Sequence, residues 1–501
     1  MNRYDPLREL IQALDKQEKR YVQLSLKKNA AGRKGNYLLL FKALAGQDID
    51  VNDLPLPGKS LAVTRHYLYK TVLRALRNFH YESTIDMWLA ERIHEANLLF
   101  DKKLFAQCEK LVSRALKVAE RHEKKIRMIE LMDIELRTLH ARVQVDHLKT
   151  RAKLYQRKKA ALFRQLEELS SLQKISYDNF IRLKTKWVRK GRKPYPIPGR
   201  LKERALLSTE AAIQYHQILS AHYFSINDSA TAFTHLEKLD HLFDRNPHLV
   251  HDHFNQYLAL LNNLNLLLFE RNDHARIYRN IEKMRAIKGR SVEQRVRIQE
   301  RLLNVEMNVY KSTGELEKAR ETAIACQRLL RDKKLGEIYR MLFHLDLFIF
   351  YFATEEYKTA LNFLNYFLRE SRQNIRQDLQ KTARLLNMIV HYKLGNFDYF
   401  ESLIRSAKRF FKKIDRLDAL EQLMLSFFSK AVTATDSRQR QALFRELKQA
   451  FERLAAIPMM HETYFRNFSF TDWAEAELSN KGFAVIVRQK FLLKSSTKSV
   501  K

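Results

Sequence analysis

Four stretches of this chain share one spacing of bulky and small residues, and this spacing restricts the fold more than any other feature. A bulky residue is followed six positions later by Phe, Leu or Tyr, then by core residues three, seven and ten positions further on. Positions three and four apart share one helix face, so each stretch predicts a turn between two packed helices. The four sets are Leu99, Phe105, Cys108, Val112 and Ala115; Tyr310, Leu316, Ala319, Ala323 and Cys326; Tyr351, Tyr357, Ala360, Leu364 and Phe367; and His391, Phe397, Phe400, Ile404 and Ala407.

The composition favours an all-helical chain with a real core. Only 11 Gly and 8 Pro occur in 501 residues, so there are few places for sharp turns, and the 45% hydrophobic content argues against global disorder. The longest apolar stretch, residues 341–353, is too short to span a bilayer and is interrupted by His344 and Asp346. We therefore predict a buried core helix there and no membrane span.

Weaker copies of the spacing extend the pattern along the chain. The residue that opens each core series falls at positions 232, 277, 319, 360, 400 and 443, which gives a period of 40 to 45 residues. The interval from 108 to 232 is about three periods long. We expect two divergent helical pairs to occupy it.

The segments LLFDKKLFAQC (98–108), YKSTGELEKA (310–319), YFATEEYKTA (351–360) and HYKLGNFDYF (391–400) resemble the tetratricopeptide repeat superfamily. In that family a bulky residue ends the first helix, and a polar turn that often carries Gly follows. Gly314 and Gly395 stand in that turn here, where a residue that tolerates positive φ is favoured. The resemblance implies a right-handed superhelical array of antiparallel helical hairpins, whose groove receives a peptide or helix of a partner protein.

The first 80 residues differ from the repeats and predict a small N-terminal helical module. Apolar periodicity places helices near 6–14, 16–28, 36–45 and 64–79. On the last helix, Lys70, Arg74 and Arg77 lie opposite an apolar face. This pattern occurs on helix-turn-helix surfaces that bind DNA, although an ordinary solvated helix face is its commoner origin.

The most basic segment of the chain interrupts the repeats. Residues 149–204 hold 18 Lys and Arg against four Asp and Glu, within a chain of net charge +34. The part before residue 191 contains neither Pro nor Gly and predicts one or two long helices, followed by a proline-rich break. Such a field attracts nucleic acid or an acidic protein. Its candidate contact residues are Arg182, Lys184, Lys186, Arg189, Lys190, Arg192 and Lys193, with aromatic Tyr155, Phe163, Tyr177, Phe180, Trp187 and Tyr195 interleaved.

No known catalytic or phosphate-binding motif occurs in the sequence, so we expect no enzyme activity, no cofactor and no small-molecule substrate. The two cysteines, Cys108 and Cys326, stand at core positions and predict buried structural thiols rather than a disulfide, which favours a cytoplasmic location. His248 and His251 are three residues apart beside Asp252 and His253, a permitted metal-ligand spacing without a second ligand pair. Capping of a helix start explains the cluster more simply, and no metal site is predicted.

These observations give one expected organisation and two expected functions. The organisation is an N-terminal module (1–82), first helical pairs (83–145), long basic helices with a proline-rich break (146–210), repeats (211–457), and capping helices with a basic tail (458–501). The leading function is a non-catalytic scaffold or adaptor that binds a partner peptide or helix on a concave surface. The alternative is a nucleic-acid-binding regulator that uses residues 149–204, residues 64–79, or both.

Overall fold

The chain is all-helical in the computed structural model. Among the residues that the model describes there are 23 α-helices and no β-strand, and consecutive helices pack against each other, which is compatible with a helical-repeat solenoid. The described residues are 5–28, 35–46, 58–81, 84–186, 201, 205–332, 334–370, 377–414, 417–434, 436–457, 460, 464–465 and 467–498.

The chain divides into two compact units, residues 1–267 and 268–501, and the boundary falls inside one helix. The helices of the first unit are α1 (Pro6–Ala13), α2 (Lys16–Lys28), α3 (Gly35–Leu44), α4 (Gly58–Phe79), α5 (Ile85–Asp101), α6 (Phe105–Arg121), α7 (Lys125–Ala141), α8 (Val145–Lys186), α9 (Thr209–Ser225), α10 (Ser229–Arg245), α11 (Leu249–Asp252) and α12 (Phe254–Glu270). The finer five-part division predicted from the sequence stays a prediction.

The second unit continues the succession of neighbouring helices. Its helices are α13 (His274–Ala286), α14 (Val292–Thr313), α15 (Leu316–Leu329), α16 (Glu337–Ala353), α17 (Tyr357–Glu370), α18 (Gln377–Lys393), α19 (Phe400–Ile414), α20 (Ala419–Ala431), α21 (Ser437–Ala455), α22 (Phe470–Ser479) and α23 (Phe483–Lys498). A short 3₁₀ helix, Phe397–Tyr399, precedes α19. The last helix, α23, packs against α22 and also against α14.

One turn geometry recurs between helices in both units. In eight connections the middle residue has φ between +50° and +70°, as in Lys103 and Gly395. The N–H of the following residue donates to a carbonyl five positions earlier, at 2.8 to 3.1 Å, which satisfies a helix C-terminus. The accepting carbonyls are those of Leu99, Ala119, Leu139, Tyr223, Leu268, Tyr351, His391 and Ala476.

This turn explains the spacing found in the sequence. Leu99, Tyr351 and His391 open three of the four strong stretches, and each ends its helix at such a turn. The fourth stretch ends similarly at Gly314, whose φ is +69° and whose N–H donates to Tyr310 O at 2.9 Å. The six residues from the bulky position to the following Phe, Leu or Tyr therefore correspond to the end of the first helix plus the turn.

The residues predicted to form the core series are largely buried, with one shift of register. The predicted number of helical pairs between positions 108 and 232 differs from the structure. In the weakest copy the buried residues are Phe444, Leu447 and Phe451, one position later than the sequence indicated for the first and last members. In its described part, the interval between 108 and 232 holds one helical pair, α7 and α8, rather than two. Its second helix, α8, is 42 residues long, which accounts for the missing period.

The predicted N-terminal helices are present, and they share one core. Helices α1 to α4 pack together around Leu7, Ile11, Val22, Phe41 and Val72, all at most 3% exposed. Pro6 opens α1, where its missing N–H costs nothing, and the Asp5 carboxylate caps the helix by accepting from Arg8 N at 3.3 Å. Helix α4 begins at Gly58, six residues before the predicted start.

The longest apolar stretch is the buried core helix that the sequence predicted. Within α16, ten residues from Met341 to Phe352 are buried, and His344 and Asp346 are among them. None of the helices that the structure describes is both long enough and apolar enough to cross a membrane.

Candidate anionic-partner interface

Helix α8 carries the described part of the basic segment. It forms as one continuous helix because residues 145–186 contain neither Pro nor Gly. Tyr155, Leu162, Leu169 and Leu172 are buried on one side, at spacings that return to the same helix face. This apolar side packs on α7 and α9 and leaves the opposite side to solvent.

Some of the cations of α8 are used inside the fold. Lys158 pairs with Glu120 of α6 at 2.8 Å, and Lys159 pairs with Asp133 of α7. Arg151 lies 3.3 Å from Glu135, whose carboxylate also accepts the Tyr155 hydroxyl. These three cations therefore join α8 to its neighbours, and a count of charges within the segment overstates what is available to a partner.

The remaining cations form a stripe along the outer side of α8. Lys149, Lys153, Arg157, Arg164 and Lys174 are exposed, and none of them has an ion pair among the described residues. Their helical positions fall within one face, opposite the buried residues. At 1.5 Å per residue the stripe is about 38 Å long. We call these five residues the α8 stripe.

One exposed aromatic residue, Phe163, falls next to the α8 stripe by helical position, whereas Tyr177 and Phe180 fall towards the apolar side of α8. Phe163 is 57% exposed, Tyr177 is 67% exposed and Phe180 is 58% exposed. Tyr155, which the sequence grouped with them, is instead buried at 3%. Cations next to exposed rings are the combination that single-stranded nucleic acid uses, because phosphates pair while bases stack.

The structure separates the sequence-predicted contact residues into three groups. Lys70, Arg74 and Arg77 are exposed on α4, opposite the buried Leu68 and Val72. Arg182, Lys184 and Lys186 belong to α8, but their side chains are not described. Arg189, Lys190, Arg192 and Lys193 lie outside the described residues. The sequence did not single out the α8 stripe, although the seven-residue spacing of Tyr155, Leu162 and Leu169 was a usable signal.

A cavity of about 540 Å³ lies beside α8 in the first unit, bounded by the starts of α7 and α9. Lys125, only 4% exposed, reaches Glu210 at 3.0 Å and Glu123 at 3.5 Å. The Glu123 carboxylate accepts the N–H groups of Thr209 and Glu210 at 3.1 and 3.2 Å. Burial alone would raise the pKa of Glu123, but these hydrogen bonds and the Lys125 charge outweigh it and lower the pKa. The charges of this wall therefore hold α7 against the start of α9.

The side chains of the histidine cluster at 248–253 make polar contacts with neighbouring residues. His122 Nδ1 lies 2.9 Å from Asp252 Oδ2, and His248 Nε2 lies 3.0 Å from the carbonyl of Arg121. His253 Nδ1 lies 2.5 Å from Gln256 Oε1. No group of three or more His, Cys, Asp and Glu side chains suited to a metal ion occurs in the described part of the chain.

Both cysteines are fully buried, as predicted. Cys108 Sγ donates to the carbonyl of Ala96 at 3.3 Å and lies 3.5 Å from the Thr138 hydroxyl. Burial raises the pKa of Cys108 and of Cys326, so the reactive thiolate is disfavoured at neutral pH.

Comparison with known proteins adds no relative. No protein-family model, no curated protein and no solved structure matches this chain. Its class is therefore defined by the fold alone, as an all-helical protein of successively packed helices with a basic outer stripe.

Proposed function

We propose that this chain is a non-catalytic scaffold that binds a partner protein. Its helices form tandem antiparallel hairpins in a right-handed array, as in tetratricopeptide proteins, and a peptide or helix of the partner lies on the concave surface. The observation that carries the proposal is the recurrence of one turn geometry from Lys103 to Asn480 between successively packed helices. Stacked repeats of this kind bury a continuous seam and leave an extended binding surface.

Affinity purification of the tagged whole chain from its native organism, after chemical cross-linking, tests this function. We expect the same partner protein with and without nuclease, at levels well above a tag-only control. Cross-links to α9 through α21 would place that partner on the repeats. A preparation without any enriched protein in either arm would contradict the scaffold.

A second function, binding of nucleic acid, is favoured by the α8 stripe. Its five exposed cations have no carboxylate partner within the described structure, and the exposed Phe163 stands beside them. Neutralising phosphates with such a stripe releases counterions, so the affinity would fall steeply with salt.

Replacing Lys149, Lys153 and Arg157 together by Gln is expected to weaken binding of a 30-base-pair duplex and to flatten its salt dependence. Each lost phosphate contact lowers the slope of log affinity against log salt by about 0.9, so three contacts lower it by about 3. Fluorescence anisotropy at several salt concentrations measures this slope.

A matched variant carries the same charge change elsewhere. Lys408, Lys412 and Arg438 are exposed in the second unit, and their joint replacement by Gln is expected to leave the slope nearly unchanged. Equal effects of the two triple variants would show that only the total charge matters. If the unmodified chain binds neither a duplex nor a single strand at low salt, this second function is removed.

A further inference from the structure

A small pocket in the second unit has the chemistry of an anion site. It has a volume of about 180 Å³ and lies between α18 and α19, with Leu368 of α17 contributing to its wall. Leu368, Met388 and Leu403 supply an apolar lining, while Arg384, Asn387 and Ser406 supply polar groups. Ser406 is exposed, which places it at the solvent side of the pocket.

Arg384 is held in the pocket without a compensating carboxylate. Its Nη1 donates to the carbonyl oxygen and the side-chain Oε1 of Gln380, at 3.1 and 3.0 Å. Its Cζ lies 3.3 Å from the centre of the Phe410 ring. No ion pair of Arg384 occurs among the described residues. Arg384 is partly buried, and this burial lowers its pKa to about 10.

The remaining features of the pocket also favour a negatively charged ligand. Helix α19 carries five Lys and Arg residues against one carboxylate, Glu401. A desolvated guanidinium without a counter-charge is costly, and a carboxylate that accepts from its free N–H groups would offset that cost.

The size and the apolar lining define the kind of anion. At roughly 30 Å³ for a water-sized group, 180 Å³ holds about six heavy atoms. One guanidinium matches the single charge and planar shape of a carboxylate better than the double charge of a phosphate monoester. The apolar wall suits a short hydrocarbon chain.

We propose that the pocket at Arg384 binds a carboxylate attached to a short aliphatic chain. The guanidinium of Arg384 pairs with the carboxylate, and Met388 and Leu403 cover the hydrocarbon. Two sources carry this chemistry, a free small carboxylic acid and the side chain of a Glu residue in a peptide. The site is separate from the α8 stripe; its peptide source rests on the proposed scaffold function, because the pocket lies within the repeats, whereas its free-acid source does not.

Methyl NMR of the whole chain labelled with ¹³C-methyl methionine tests the proposal. The Met388 methyl group lines the pocket, and a Met388→Leu variant identifies its signal. Isobutyrate, which has six heavy atoms, is expected to shift this signal saturably with a Kd in the millimolar range or below. Isobutyramide, which has the same shape without the charge, is expected to bind at least about tenfold more weakly.

Three variants separate binding in the pocket from general effects of charge. Arg384→Met is expected to abolish the isobutyrate shift, and Arg384→Lys, which keeps the charge, to weaken it about tenfold. Arg405→Met removes an exposed cation of α19 and is expected to change nothing. If Arg384→Met does not fold, the Arg384→Lys variant and the amide comparison still decide the matter.

A comparison of two further ligands identifies the source of the carboxylate. Acetyl-Glu-N-methylamide binding better than isobutyrate, with its Gln counterpart inactive, would assign the site to a peptide side chain. The reverse order would assign it to a free acid. The proposal is overturned if isobutyrate causes no saturable shift, if isobutyramide binds equally well, or if inorganic phosphate binds more tightly than either carboxylate.

Discussion

Replacing Glu421 by Ala is expected to lower the free energy of unfolding of the second unit by about 3 kcal/mol. The Glu421 side chain is fully buried, and its Oε1 accepts from Lys381 Nζ and from the Tyr464 hydroxyl, both at 2.7 Å. Its Oε2 accepts from Asp418 N at 3.0 Å, which completes the capping box of α20. The variant would leave the largely buried Lys381 side chain, 13% exposed, with only Asp418, 3.3 Å away, as its counter-charge.

Urea unfolding followed by Trp473 fluorescence measures this loss, because Trp473 is 1% exposed and belongs to the second unit. The reference protein and every variant carry Phe in place of Trp88 and Trp187, so that Trp473 is the only Trp that contributes fluorescence. Glu401→Ala is the control: its side chain is 87% exposed and pairs with Arg405 across one helix turn. That exposed pair contributes at most about 0.5 kcal/mol. Similar losses in the two variants would contradict the role assigned to burial.

Replacing Gly314 by Ala is expected to destabilise the second unit by about 3 kcal/mol, for two separate reasons. Gly314 ends α14 with φ at +69°, and a side chain in the left-handed region costs about 1 kcal/mol. In addition, a Cβ atom there would lie 2.9 Å from the backbone N of Arg488. Relieving this contact displaces α23 from α14 and adds about 2 kcal/mol.

Gly395→Ala isolates the first of these two reasons. Its φ is +70°, almost identical to that of Gly314, but the structure places no heavy atom within 4 Å of the added Cβ. We expect a loss of about 1 kcal/mol in the same Trp473 measurement. Equal losses at the two glycines would show that α23 yields without cost, and the packing explanation would be wrong.

The two glycines show how far local sequence determines this protein. Both stand in a polar turn after a bulky residue, and the need for positive φ at each could be predicted because a helix end is a local structure. The contact with Arg488 could not be predicted, since Arg488 is 175 residues from Thr313, whose carbonyl it also contacts. The position of each glycine in its turn determines the backbone strain of the Ala variant. At Gly314, the packing of α23 determines the rest of the loss of stability.

The candidate interface shows the same division. The excess of cations in residues 149–204 is a property of the sequence, and the lack of Pro and Gly predicted one or two long helices there, of which the structure shows one. Which cations face solvent depends on Glu120, Asp133 and Glu135, which come from other helices. The sequence therefore indicated an anionic partner, while the structure located the available charges at Lys149, Lys153 and Arg157 rather than at Lys158 or Lys159.

By itself, the sequence determined the helical class, the places of several of the recurring turns and the burial of Cys108 and Cys326, because helix periodicity and helix ends depend on neighbours along the chain. Only the tertiary structure decided which charges are compensated. Glu421 meets Lys381 and Tyr464, and Arg384 meets no carboxylate in the described structure, because the energy of a charge depends on distances in space and on desolvation. Neither quantity can be read from spacing along the chain.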